Sequence, residues 1–340
     1  MWITADLPGV EGRLKDEPED FRVWELPAYE PAGEGHHAYY QVTKRDWSTE
    51  ALLRKVSALL GRDGRDFGYA GRKDRRAVTT QRISCPADWS GVAEAFGQVE
   101  GVLEVEFLGL HGNKLRRGHL RGNRFCLMVR DCHPEAPARA EAIAARLART
   151  GWANYYGQQR FGRDGDNAQQ GKQLVLGRGK ARRNLRELLV NAYQSALFNR
   201  LLAERVERGQ FATVLDGDVL AHLPQGGLFV STDRQADQPR LERFEVSPAG
   251  PIFGFKMFAA AGECDRLEQE LLAGEGIKPD DFRRVSAPGS RRRQRLPLED
   301  FSYRFEGRDL ALEFSLPAGS YATTLLDEFQ KSCDSPWREE

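Results

Sequence analysis

The chain has no apolar run close to the ~20 residues a membrane-spanning helix needs. Its first ten residues, Met1 to Val10, carry Asp6 and no basic stretch, which argues against a secretory signal. Its five cysteines, Cys85, Cys126, Cys132, Cys264 and Cys333, form no C-x-x-C pair. An odd count without an export signal makes a disulfide framework unexpected and points to the cytoplasm. Cys126, Cys132 and His133 have the wrong spacing for zinc. The six histidines make no H-E-x-x-H, and neither a G-x-x-x-x-G-K-[ST] loop nor a strand-linked G-x-G-x-x-G occurs. No metal and no cofactor is therefore expected, and the chemistry falls to side chains.

An excess of one charge is also missing, since 50 Lys+Arg balance 50 Asp+Glu. A neutral total argues against a nucleic-acid partner, because phosphate binding favours a basic surface. The distribution argues otherwise. Of the 50 basic residues 40 are Arg, the planar five-donor side chain suited to phosphates and base edges. Residues 1–50 hold 11 acids against 5 bases, whereas His111 to Arg130 holds Lys114, Arg116, Arg117, Arg121, Arg124 and Arg130 with no acid. Arg160 to Arg186 has eight bases against Asp164 and Asp166, and Arg283 to Arg295 has six Arg without an acid. On charge alone, solvated loops account for these segments as well as phosphate contacts do.

With 340 residues, 40% of them hydrophobic, the chain is long enough for about two domains. Alternation predicts strands at Glu19 to Pro27 and His37 to Arg45. A helix follows, capped by Ser48 and stopped by Gly61, with Leu52, Leu53, Val56, Leu59 and Leu60 on one stripe. Further strands are expected at Val78 to Ser84, Val102 to Leu108 and Arg124 to Asp131, then a helix over Glu135 to Arg149. Beyond a break near Ala153, helices are expected at Asn184 to Gly209 and around Cys264 to Leu272. Arg283 to Pro297 reads as a linker or a phosphate-facing loop. Strands at Phe301 to Glu306 and Asp309 to Leu316 and a helix over Ser320 to Lys331 complete the chain. Irregular mixing of strands and helices favours an α+β fold with antiparallel pairings over a doubly wound one.

The densest chemical signal lies between Tyr69 and Gln81. Asp74 stands among Arg72, Lys73, Arg75 and Arg76, which would hold its carboxylate ionised where they lie close. An ionised Asp can serve as nucleophile or base. Gly71 suits a tight turn or close approach by a ligand. On these residues alone, a turn whose Asp satisfies its Arg neighbours is the stronger reading.

The segment Ala70 to Gln81 matches every fixed position of A-G-x-K-D-x-x-A-x-T-x-Q. In this the chain resembles the TruD family of tRNA pseudouridine synthases. Four more stretches agree with that family in order: Pro18-Glu-Asp-Phe21, Gly122-Asn-x-Phe125, Asn154-Tyr-Tyr-Gly-Gln-Gln-Arg-Phe-Gly162 and Leu316-Pro-Ala-Gly-Ser-Tyr-Ala-Thr323. Ser195-Ala-Leu-Phe-Asn199 and Asp216-Gly-Asp218 are also familiar from it, so the likeness covers essentially the whole chain.

The resemblance implies a pseudouridine-synthase-like catalytic domain, with a mixed, largely antiparallel sheet flanked by helices, from residues 1–152 and 300–340. An inserted α/β domain would span 153–299. Asp74 would be the nucleophile or base, and Phe21, Asn123, Phe125 and Tyr321 would line a uracil pocket. Tyr321 stands where family members carry Phe; its hydroxyl keeps the stacking face but needs a partner if buried. Lys15 would be the basic partner of Asp74, with a surface lysine as the equal alternative. The implied reaction turns uridine 13 of the tRNA D arm into pseudouridine, replacing a carbon–nitrogen glycosidic bond by a carbon–carbon one without redox change, ATP or metal. Flipping the base from its stack costs a few kcal/mol, which stacking on aromatic side chains offsets by ~1–3 kcal/mol per base. Arg72, Lys73, Arg116, Arg117, Arg121, Arg291 and Arg292 are the expected phosphate contacts. The partner is then tRNA, with no membrane and no obligatory protein, and the chain a monomer. Two alternatives stay open: the same chemistry on another RNA uridine, and a non-catalytic RNA-binding or RNA-folding protein.

Overall fold

The computed structural model describes residues 1–14, 16–162, 164–224 and 226–331, so Lys15 and Cys333 lie outside the described residues. The chain begins with β1 (Arg13–Leu14), β2 (Phe21–Pro27), β3 (His37–Arg45), α1 (Thr49–Leu60), β4 (Gly68–Tyr69), β5 (Val78–Pro86), α2 (Val92–Gly97), β6 (Val102–His111) and β7 (Leu120–Arg130). It continues through α3 (Ala136–Thr150), β8 (Trp152–Ala153), α4 (Asn167–Val175), α5 (Arg183–Glu207), β9 (Val219–His222), β10 (Leu228–Val230), α6 (Arg234–Glu242), β11 (Val246–Ile252) and α7 (Gly262–Glu275). It closes with β12 (Ser290–Arg293), β13 (Arg295–Leu296), β14 (Ser302–Glu306), β15 (Asp309–Pro317) and α8 (Ala322–Gln330).

These elements pack into two compact units. The sheet unit, Glu11–Ala136 with Glu299–Ser320, is built on strands in the order β14-β15-β7-β2-β5-β3-β6, with β1 added on β7 and β4 on β5. Every pairing is antiparallel except β2 with β5, giving the mixed, largely antiparallel α+β sheet that the sequence led us to expect. Ser48 caps α1 by accepting the Ala51 N–H at 3.3 Å, and Gly61 ends it in the left-handed region at φ 63°. The stripe so presented, Leu52, Leu53 and Val56, packs with Phe96 of α2 on Ala38, Tyr40 and Val42 of β3. Each fully buried side chain of this size contributes roughly 1.5–3 kcal/mol.

The helix-rich unit comprises Met1–Val10, Pro137–Leu298 and the described residues from Tyr321 on. It holds an antiparallel sheet ordered β10-β9-β11-β12 and the short pair β13-β8. Its core gathers Leu174 of α4, Leu189, Tyr193 and Leu197 of α5, and Leu267 and Leu271 of α7.

The stretch Arg283 to Pro297 is neither a linker nor an open loop. It contains β12, which pairs with β11, and β13, which pairs with β8. Arg283 and Arg284 stay exposed, whereas Arg291 and Arg295 fold inward because each finds acceptors. Arg291 pairs with Glu268, and Arg295 donates to the Thr150 and Leu241 carbonyls while stacking on Phe244 at 4.2 Å.

Candidate active site

In a strand, residues two apart share a face, so the pairing registers show what the central sheet presents to one side. One row across it runs Lys44 (β3), Thr79 (β5), Val23 (β2), Phe125 (β7) and Phe314 (β15). The same face, two residues along, carries Val42 opposite Gln81, Glu25 opposite Asn123, and Asn123 opposite Leu316. Phe21, at the start of β2, shares this face and meets Phe125 edge-on at 6.2 Å, while Phe125 stacks on Phe314 at 5.5 Å. Gly122 permits the closeness of β15, since a Cβ there would lie 2.1 Å from the Leu316 carbonyl oxygen. The sheet thus gathers Phe21, Asn123 and Phe125.

Polar atoms on this face are under-satisfied. Thr79 Oγ1, Gln81 Nε2 and Asn123 Oδ1 are buried with no hydrogen-bond partner among the described residues. Such groups are costly unless a ligand or water completes them. Lys44 adds a fully buried ammonium (0% exposed) whose hydrogen-bond partner is the Trp47 carbonyl. Burial lowers its pKa to about 8, with Asp74 and Glu50 opposing that shift and Lys73 adding to it.

The Asp74 loop lies beside these residues, and its neighbours are pinned. The Lys73 N–H donates to Thr49 Oγ1 at 3.0 Å, and that hydroxyl donates to Gln81 Oε1 at 2.8 Å. The Lys73 ammonium pairs with Glu25 at 2.8 Å, the two side chains 5% and 2% exposed. Arg72 pairs with Glu50, and Arg76 donates to the Asp16 carbonyl. None of the flanking bases pairs with Asp74. That carboxylate is exposed and makes no hydrogen bond or ion pair among the described residues, because each neighbour except Arg75 has found another acceptor. Gly71 has neither a positive φ nor a clash at its Cβ, so no backbone constraint demands glycine there.

Of the expected phosphate contacts, Arg116, Arg117 and Arg121 are exposed, Arg121 donating to the Pro27 carbonyl at 3.0 Å. Arg72 is exposed but shared with Glu50. The structure gives three others different work: Lys73 is enclosed with Glu25, Arg291 is enclosed with Glu268, and Arg292 donates to Asn154 Oδ1 at 2.6 Å.

In the helix-rich unit, Arg292 lies 4.1 Å from the Tyr156 ring centroid, and Tyr321 meets that ring edge-on at 5.8 Å. Burial lowers the Arg292 pKa. Asn199 of α5 exchanges 2.8 Å hydrogen bonds with both backbone groups of Tyr156, and Arg160 donates to Ser195 Oγ at 3.0 Å. Ser195-Ala-Leu-Phe-Asn199 therefore holds the Asn154 to Gly162 stretch. Gly157 must stay small, for a Cβ would come within 2.9 Å of Thr323 Oγ1 and 3.0 Å of the Tyr321 ring. The Tyr321 hydroxyl makes no hydrogen bond among the described residues, and burial raises its pKa. Asp218 is structural, bound by both Arg205 nitrogens at 2.6 and 2.9 Å.

Comparison with known proteins places the chain in a family. A family model for tRNA pseudouridine synthase D (TruD) matches residues 1–181 and 170–329. The tRNA pseudouridine synthase D of Anaeromyxobacter sp. (strain Fw109-5) is 49% identical over 339 residues, spanning 97% of this chain and 95% of that one. That of a Thermus thermophilus strain is 41% identical over 332 residues, spanning 97% and 92%. A crystal structure from Methanosarcina mazei, provisionally assigned as tRNA pseudouridine synthase D, superposes with a TM-score of 0.80 at 25% identity, covering 98% of this chain and 96% of that one. Fold and motifs together define an isomerase of the pseudouridine synthase class, one that converts uridine to pseudouridine in tRNA. Within that class the chain belongs to the TruD family.

Proposed function

We propose that the enzyme acts on uridine 13 in the D arm of tRNA, with Asp74 as the reacting side chain. The observation that carries this reading is the contrast at residue 74: the backbone before it is anchored, while the carboxylate itself is exposed and has no partner among the described residues. A group so placed can add covalently to the sugar or base, or take a ribose proton, so that the carbon–nitrogen bond breaks. The freed uracil must then turn before a carbon–carbon bond forms, which calls for flat walls and few fixed hydrogen bonds. Phe21 and Phe125 give such walls, Asn123 gives a buried unmatched oxygen for a uracil or ribose donor, and Tyr321 is the further stacking face that family resemblance implies.

Exposed Arg116, Arg117 and Arg121 make the phosphate contacts in this reading, and affinity accordingly falls steeply with salt. In this reading residues 1–152 and 300–340 form the catalytic domain and 153–299 the insertion; re-entry into the sheet unit at Glu299 supports the second boundary, whereas residues 1–10, 137–152 and the described residues from Tyr321 group with the helix-rich unit. The enzyme works in the cytoplasm as a monomer without an obligatory protein partner. No described helix is long and apolar enough to cross a membrane.

The test is carbodiimide treatment and primer extension on tRNA from cells lacking this protein, rescued with wild type or Asp74→Asn. A stop at uridine 13 is expected with wild type alone. Modification restored by Asp74→Asn would overturn the role of Asp74, and a stop at another nucleotide would overturn the target.

A further inference from the structure

We propose that Glu25 is a positioning residue for the isomerisation, fixing the Asp74 loop on the strand face that carries Phe21 and Asn123. The inference rests on Asp74 being the reacting carboxylate. Glu25 binds the Lys73 ammonium through Oε2 at 2.8 Å and accepts the Arg82 N–H through Oε1 at 3.3 Å, so one carboxylate ties β2 to β5 and to the loop. Across β7 it lies opposite Asn123, and along β2 it shares the face of Phe21 and Val23.

A buried ion pair is a poor means of stabilising a fold, because desolvating both ions offsets their attraction and an apolar pair does as well. What the pair adds is geometry. Lys73 is fixed twice, by its ammonium on Glu25 and by its N–H on Thr49 Oγ1, and the next residue in the chain is Asp74. A rigid residue followed by an exposed carboxylate is the layout that pre-organisation requires, since a misplacement of about 1 Å costs on the order of 100-fold in rate. The same enclosure removes Lys73 from any contact with phosphate.

Steady-state kinetics on a transcribed tRNA substrate test the proposal, with Glu25→Gln, the double variant Glu25→Gln/Lys73→Met, and Asp74→Asn measured side by side. The double variant leaves no buried charge unpaired, so its thermal midpoint is expected to match wild type. Both Glu25 variants are expected to lose about 10- to 100-fold in kcat, with KM for tRNA within about twofold of wild type. A double variant with wild-type kcat would overturn the proposal. So would a rise in KM with a shallower salt dependence, which would return Lys73 to the phosphate contacts, or a loss of activity that follows the unfolded fraction. If Asp74→Asn is inert while the double variant keeps full kcat, only the positioning role falls; if Asp74→Asn is active, the underlying reading falls.

Discussion

The two units bury positive charge with different side chains. In the helix-rich unit two buried arginines are matched to carboxylates: Arg205 grips Asp218 with two nitrogens and adds the Thr213 carbonyl, and Arg291 grips Glu268, while Arg295 is held by backbone carbonyls and an aromatic ring. Burial works to lower the Arg205 pKa, but the charge and hydrogen bonds of Asp218 raise it overall. In the sheet unit the buried cations include two lysines. Lys73 has one carboxylate, and Lys44 has a backbone carbonyl in its place. Arginine stays charged and matches a carboxylate fork, whereas a buried lysine shifts readily. Carboxylate-matched arginines fasten a scaffold; the under-matched Lys44, which feels the charge of Asp74, marks a place where charge has work left to do.

The sharpest break of this contrast is Asp218→Asn. It leaves the Arg205 guanidinium buried without its carboxylate, and a destabilisation of about 3–5 kcal/mol is expected in urea unfolding. Lys44→Met is expected to act in the other direction. Below about pH 8 Lys44 is charged both folded and unfolded, and its burial cost is fully present. Between about 8 and the ordinary value of 10.5 the unfolded chain binds more protons, so stability rises with pH across that window. Lys44→Met removes this rise and stabilises the neutral-pH protein by up to about 3 kcal/mol, as urea midpoints between about pH 7 and 10 would show. A flat wild-type profile would mean that Lys44 is not under-matched. The smallest effect belongs to Tyr321→Phe, which keeps the ring on Tyr156 and deletes a hydroxyl without a described partner. Stability within about 0.5 kcal/mol of wild type is expected, with turnover unchanged; a large fall in turnover would show that the hydroxyl is used.

Local rules carried much of the fold. Ser48 and Gly61 bound α1 as expected, and the alternation of β3 and the strands β14 and β15 were visible in the sequence. The Arg-rich strands β12 and β13 were not, because polarity reads as solvent exposure and the acceptors that bury Arg291 and Arg295 lie far away in the chain. Motif identity singled out Asp74, Phe21, Asn123 and Phe125. It did not single out Glu25 or Lys44, although a signal existed. In β3 the inward series Ala38, Tyr40, Val42 ends on Lys44, and in β2 the series Phe21, Val23 ends on Glu25. A charged residue at an inward position of a strand is the pattern to look for. What it pairs with requires the register, which no local rule supplies.

That register also sets an order of events during synthesis. Asn123 and Phe125 on β7 have β2 on one side, made well before them, and β15 on the other, made near the end of the chain. Pairings between such distant segments close slowly and late. While the ribosome adds the residues between β7 and β15, the edge of β7 that will receive β15 waits unpaired, and an open edge is prone to adventitious pairing. The enzyme therefore completes its aromatic floor only after nearly all of its length has been made, and truncation before Asp309 would remove the pairing strand while leaving every motif up to Asp218 in place.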